Sequence, residues 1–213
     1  MSVHLRPEEI ETESFRIIDA EVGPHQWLPA EWQVVRRLIH TSADFDYCRT
    51  MVISKDAVSA AISALRQGVG VVTDTNMALA GINKQGLTRH GCGAACFVAD
   101  PEVARVARGE GVTRSIVAMR RATSEPGNGI FVIGNAPTAL FELLRQVREE
   151  GFRPALIVGL PVGFVGAVES KEELVQVATD HAIPFITSLG RKGGSNVAAA
   201  VVNALLILAG EQG

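Results

Sequence analysis

The stretch VIGNAPTALFELL, Val132 to Leu144, joins a run of β-branched residues to a tight turn and then to an amphipathic helix opened by Pro137. A strand that feeds a glycine turn and then a helix is the repeating unit of parallel sheets, and it sets a helix start at the strand's carboxyl end. The first helical N–H groups there lack intrahelical partners, and the helix dipole favours an anion in front of them. The dinucleotide spacing G-x-G-x-x-G is missing, which argues against pyrophosphate as that anion.

The same unit recurs on both sides. Short apolar runs at Met51–Ile53, Val69–Thr73, Ile130–Ile133, Leu156–Val158 and Phe185–Thr187 alternate with helical stretches at Ala57–Arg66, Pro137–Glu150, Lys171–His181 and Asn196–Leu208. This spacing predicts an α/β fold: a single-domain three-layer sandwich spanning residues 1–213, with a mainly parallel sheet and helices on both faces. Two helices come first. One spans Pro7–Val22, with Ile10, Ser14, Ile17 and Ile18 on one face and Gly23-Pro24 as its stop; the other starts at Pro29 and ends at His40, with Trp32, Val35 and Ile39 on one side. Met77–Ile82, Pro101–Ala107 and Thr113–Ala122 read as helices, and Phe97-Val98 as a short strand. Caps are expected at Thr113 and Ser54, with a capping box at Ser170–Glu173.

At 213 residues the chain suffices for one full core, and its net charge of −3 gives no general attraction to nucleic acid or an anionic membrane. The acidic start MSVHLRPEEIETES lacks the apolar core of a signal peptide, and no segment reaches the ~20 apolar residues of a bilayer span. The longest apolar run, Val197–Ala209, is interrupted only by Asn203 and is expected to pack as a buried helix. Three cysteines fit no disulfide framework and point to a reducing, cytoplasmic compartment. His90, Cys92 and Cys96 lack the second half of a zinc motif, so core thiols are expected and no metal site.

Function must then lie in the loops that leave the strands: Asp74–Met77, Gly134–Thr138, Gly159–Gly166 and Ser188–Ser195. Their glycines allow close backbone approach, and Arg191 and Lys192 add positive charge, which together suit a large anion. Arg114 opens a helix where the dipole disfavours a cation; it is either exposed at a cost of ~0.3–1 kcal/mol or set against an anionic ligand. His40 closes its helix, where the terminal carbonyls and the nearby Asp44 and Asp46 favour imidazolium. On residue chemistry alone it reads first as a capping histidine, and second as a proton donor near neutral pH.

Taken in order, SFRII, RRLIHTSADFDY, TDTNMALAGINK, GVTRSIVAM, VIGNAPTALFELL, GLPVGFVGAVESK and GRKGGSNVAAA resemble the precorrin-8X methylmutases of cobalamin biosynthesis, from about Ile10 to Leu208. The resemblance implies an isomerase that shifts a methyl group between neighbouring carbons on ring C of a corrinoid, giving hydrogenobyrinic acid or its cobalt counterpart with no cofactor. It also implies a homodimer with substrate near the subunit interface, His40 as the catalytic group, and Ser14 and Arg114 beside the substrate. Where some members carry threonine, this chain has Asn83 followed by Lys84, and both are expected at the substrate. IHTSADFD and GINK resemble the cobalt-precorrin-8 branch more than the metal-free one. The macrocycle is apolar and ringed by acetate and propionate groups. Its rim is therefore expected to meet Asn135, Ala136, Thr138, Gly163, Arg191 and Lys192. Two other readings share these loops: a nucleotide-binding α/β enzyme with phosphate at Gly134, and a non-catalytic tetrapyrrole carrier.

Overall fold

The computed structural model describes residues 6–211. All its strands join one six-stranded sheet in the order β1-β6-β5-β4-β2-β3. These are β1 (Met51–Ile53), β2 (Gly70–Thr73), β3 (Ala94–Ala95), β4 (Asn128–Ile133), β5 (Leu156–Gly159) and β6 (Phe185–Ser188). β2 to β6 pair in parallel, and β1 alone runs antiparallel, against β6.

The central strands are apolar on both faces, as a sheet covered twice requires. Val71, Ile130, Val132, Leu156, Val158 and Ile186 share one core with helices α2 (Pro29–Ser42), α4 (Ala57–Arg66) and α11 (Ser195–Gly210). Val72, Phe131, Ile133, Ile157 and Phe185 face the other way, onto α8 (Arg114–Ser124), α9 (Pro137–Glu149) and α10 (Ala167–Asp180). The strand period of two thus divides adjacent residues between two cores. The α/β three-layer arrangement expected from the sequence is the observed one.

Helix α11 is apolar nearly all round because other helices cover it: α2, α4, α5 (Asn76–Gly81) and α6 (Lys84–Arg89) pack against it. Asn203, the one polar residue between Val197 and Ala209, donates from Nδ2 to the Gly81 carbonyl at 2.9 Å and accepts the Asn83 N–H at 2.8 Å. It thereby ties the α5–α6 turn to the core. On the other face α7 (Pro101–Glu110) packs on α8; α1 (Pro7–Val22) lies over α2, on the same face as α11.

Several local expectations are corrected. α10 begins at Ala167, so Ser170 lies inside the helix, buried, with its hydroxyl given to the Ala167 carbonyl at 3.1 Å instead of capping. Ser54 does not cap α4 either; its Oγ accepts the Phe185 N–H at 2.9 Å across the sheet edge. The short strand is Ala94–Ala95, while Phe97 and Val98 pack as side chains against the α7–α8 cluster. On α1 only Ile18 of the expected apolar face is buried; Ile10 and Ile17 are exposed. α2 continues two residues beyond His40, and a short helix α3 (Tyr47–Thr50) follows it.

Candidate active site

The turn of VIGNAPTALFELL already holds an anion, and it is the protein's own. Asp74, at the end of β2 and 1% exposed, accepts the Gly134 N–H on Oδ1 at 2.9 Å. Its Oδ2 accepts the Asn135 and Ala136 N–H groups at 2.9 and 2.7 Å. Burial raises the Asp74 carboxyl above the usual carboxylate range, and the three amide donors oppose that shift. A phosphate or a substrate carboxylate could reach these amides only by displacing Asp74. This corrects the expectation of amide binding at Ala136 and removes the support for a nucleotide phosphate at Gly134. The turn instead presents the exposed Asn135 side chain, with Thr138 Oγ1 bound to Thr113 Oγ1 at 3.1 Å.

Gly134 is glycine because of a neighbour. A Cβ there would stand 2.7 Å from Ser195 Cα, so the start of α11 could not sit against the end of β4. The β5 and β6 exit loops meet as closely: a Cβ on Gly193 would lie 2.3 Å from the Leu160 carbonyl oxygen, and the Gly194 N–H donates to that oxygen at 2.9 Å. The Gly163 N–H donates to the Arg191 carbonyl at 3.3 Å. Above this pair of loops Phe164 and Val165 project, 84% and 91% exposed, with the Arg191 guanidinium 5.3 Å from the Phe164 ring centroid.

His40 reaches the same sheet edge from the other side. β1 runs antiparallel, so its start at Met51 lies opposite Ser188, the last residue of β6, and the Leu189 N–H donates to the Thr50 carbonyl at 2.8 Å. This brings the end of α2, through α3, to the strand-exit loops. The His40 imidazole is exposed and meets Phe15 edge to face at 5.2 Å between centroids. Arg36 and Arg37 lie 4.4 and 5.2 Å from the same Phe15 centroid and pair with Asp19 and Glu11, each at 2.8 Å. Arg36 Nε is buried without an oxygen acceptor, and the ring face stands in for one.

Phe15, Arg36 and Arg37 were missed in the sequence, although the signal was there. RR precedes LIH so that Arg36 lies one turn before His40, and Phe15 follows the singled-out Ser14. Ser14 itself returns its hydroxyl to the Ile10 carbonyl at 2.8 Å.

The remaining expected cations divide. Arg114 is exposed at the start of α8, capped by Thr113 through the Ile116 N–H, and makes no ion pair among the described residues. Arg191 likewise has no carboxylate partner among them. Lys192 differs, because its Nζ contacts Asp44 Oδ2 at 2.5 Å and Asp46 Oδ2 at 2.7 Å. The two aspartates expected to favour a charged His40 are thus bound to Lys192, which is not a bare cation at the rim.

Asn83 caps α6 by accepting the Gly86 N–H at 3.1 Å. Lys84 begins that helix and lines a cavity of about 420 Å³ with Asn76, Leu79, Thr88 and Cys92, on the same face of the sheet as the His40 helix, with α11 packed against both α2 and α6. Cys92 is a core thiol, donating to the Leu65 carbonyl at 3.3 Å, and burial pushes it up. Among the described residues no helix is long and apolar enough to cross a membrane.

Known proteins resemble this chain in sequence and fold. Residues 9–208 match the family model for precorrin-8X methylmutase. The cobalt-precorrin-8 methylmutase of Priestia megaterium is 46% identical over 205 residues, 96% of this chain and 89% of the relative. The precorrin-8X methylmutase of a Sinorhizobium species is 37% identical, covering 90% of each chain. The crystal structure of precorrin-8X methylmutase from Thermus thermophilus superposes with a TM-score of 0.86 at 41% identity, covering 95% of this chain and 96% of that one. With the match running through both the His40 helix and the strand-exit loops, the chain belongs to the precorrin-8X methylmutase family.

Proposed function

We infer that this isomerase of cobalamin biosynthesis moves a methyl group between adjacent ring C carbons of precorrin-8X or cobalt-precorrin-8, with His40 as the acid at the reacting centre. One C–C bond breaks where the methyl leaves and one forms at its neighbour, so no electrons are exchanged overall. A proton or hydrogen bond from His40 to the conjugated ring draws electron density from the migrating bond, and the proton returns when the conjugated pattern of the product is complete. Holding the macrocycle still against that acid supplies much of the remaining acceleration.

The observation that carries this reading is one exposed imidazole on the same sheet edge as two exposed arginines, Arg114 and Arg191, that have no carboxylate partner among the described residues. Those arginines suit peripheral carboxylates of the ring, and Val162, Phe164 and Val165 offer its apolar face a wall. Thr138 meets Thr113, the residue before Arg114, and Asn135 is exposed on the same turn; Ser14, one residue from Phe15, belongs to the His40 side. The higher identity to a cobalt-precorrin-8 methylmutase favours the cobalt-containing substrate. Exposed Ile10 and Ile17 on α1 fit a homodimer contact, and three free cysteines fit the cytoplasm.

His40→Ala tests the central assignment. The variant should remain folded and bind corrinoid while turnover, followed by absorbance, falls by about 100-fold or more. Wild-type turnover would remove His40 from the chemistry.

A further inference from the structure

Lys171 is the most fully buried charged side chain among the described residues, 0% exposed on α10. Its Nζ donates at 2.8 Å to the backbone carbonyl of Lys192, which also accepts the Ser188 hydroxyl at 3.2 Å. Nothing acidic pairs with it among the described residues. Burial alone pulls its ammonium down to about 8. An apolar residue of similar length would be easier to hold there, so the lysine is retained for what it grips.

What it grips is the β6 exit loop at one residue. From that residue the Lys192 side chain spans to Asp44 and Asp46, two and four positions past the end of α2, which carries His40 in its last turn. Backbone and side chain of Lys192 therefore connect a buried anchor under the sheet edge to the segment that ends the His40 helix. Asp44 also accepts the Asp46 N–H at 3.0 Å, which makes the acceptor pair one rigid turn. An exposed ion pair alone is worth little, but this one closes a path whose other end is fixed in the core.

We propose that Lys192, anchored through its carbonyl by Lys171, is a positioning residue that sets the His40 imidazole against the ring rather than a cation for the substrate's rim. The inference rests on His40 being the catalytic group. Displacing a catalytic group by about 1 Å can cost up to 100-fold in rate, with little effect on binding.

Steady-state turnover of cobalt-precorrin-8 by Lys192→Met, Lys192→Arg, Asp44→Asn/Asp46→Asn and the combined triple variant tests it, with His40→Ala alongside. Lys192→Met should lower kcat by about tenfold or more with KM within about threefold. Lys192→Arg should recover most of that loss, and the triple variant should be no slower than Lys192→Met, because all three remove one link. Lys171→Met should lower kcat in the same way without lowering the melting temperature. A higher KM at unchanged kcat in Lys192→Met would make Lys192 a substrate contact and overturn the proposal. So would additive losses in the triple variant, or wild-type kinetics throughout. If Lys192→Met fails to fold, the aspartate pair variant decides by the same kcat criterion. Wild-type turnover by His40→Ala would instead defeat the underlying assignment, a separate result.

Discussion

Two buried charges, Asp74 and Lys171, show how residue-scale physics decides what this site can bind. Asp74 fills the helix-start position that an external anion takes in nucleotide-binding folds, and its partners lie 60 to 62 residues away in sequence. No local pattern in TDTNM announces that pairing. Asp74→Ala leaves three amide donors facing a void and should cost about 2–4 kcal/mol in urea unfolding; a loss under about 0.5 kcal/mol would mean that the turn holds itself.

Lys171 makes a pH-dependent statement. Its folded value is about 8 against 10.5 for the free side chain, so between those values the unfolded chain binds more protons and stability rises with pH. The contribution is full above the unfolded value and is lost as pH falls through 8, up to about 3 kcal/mol. Lys171→Met has no such slope. Its stability advantage over wild type should therefore be largest near pH 7 and shrink by pH 10 when both are unfolded in urea; a constant difference would show that the ammonium carries no burial penalty.

At the scale of elements, the sheet was legible because its strands are apolar on both faces and its helices open on prolines: Pro29, Pro101 and Pro137 each stand at a helix start. The failures have physical causes. Ser170-Lys-Glu-Glu has the form of a capping box, but the chain turns into helix at Gly166, and burial of Ser170 and Lys171 draws that whole turn inward. α6 contains Gly86, whose position close to Leu206 is a packing requirement of α11 that overrides its poor helix propensity.

The candidate edge was half legible. His40, Arg114 and Arg191 carried visible signals, whereas the Lys192 link to Asp44 and Asp46 spans 148 and 146 residues and exists only in the fold. Close contact between elements yields its own test. Gly134→Ala and Gly193→Ala each press a methyl into backbone and should lower stability by about 1–3 kcal/mol or more. Gly93→Ala, with nothing within 4 Å of its new methyl, should stay within about 0.5 kcal/mol. Equal effects in all three would mean that chain entropy, not contact, decides.

For the whole molecule, charge poses a problem that the local site has to answer. The chain is net negative, at −3, and its substrate in the proposed reaction is a polycarboxylate, so overall attraction does not bring the two together. Capture must come from cations gathered at one edge, and the structure keeps Arg114 and Arg191 there without carboxylate partners among the described residues while pairing Lys192 with Asp44 and Asp46. Salt screens exposed charges over about 10 Å at 0.1 M. The kcat/KM of the wild-type enzyme should therefore fall as ionic strength rises from 20 to 300 mM, over which the screening length shortens about fourfold. The Arg114→Gln/Arg191→Gln variant should start lower, by about tenfold or more, and respond less steeply. Lys192→Met should keep the wild-type salt slope despite its lower kcat, because its ammonium is already paired with Asp44 and Asp46. A salt slope lost in Lys192→Met but kept in the arginine pair variant would reverse the division of labour between rim and frame.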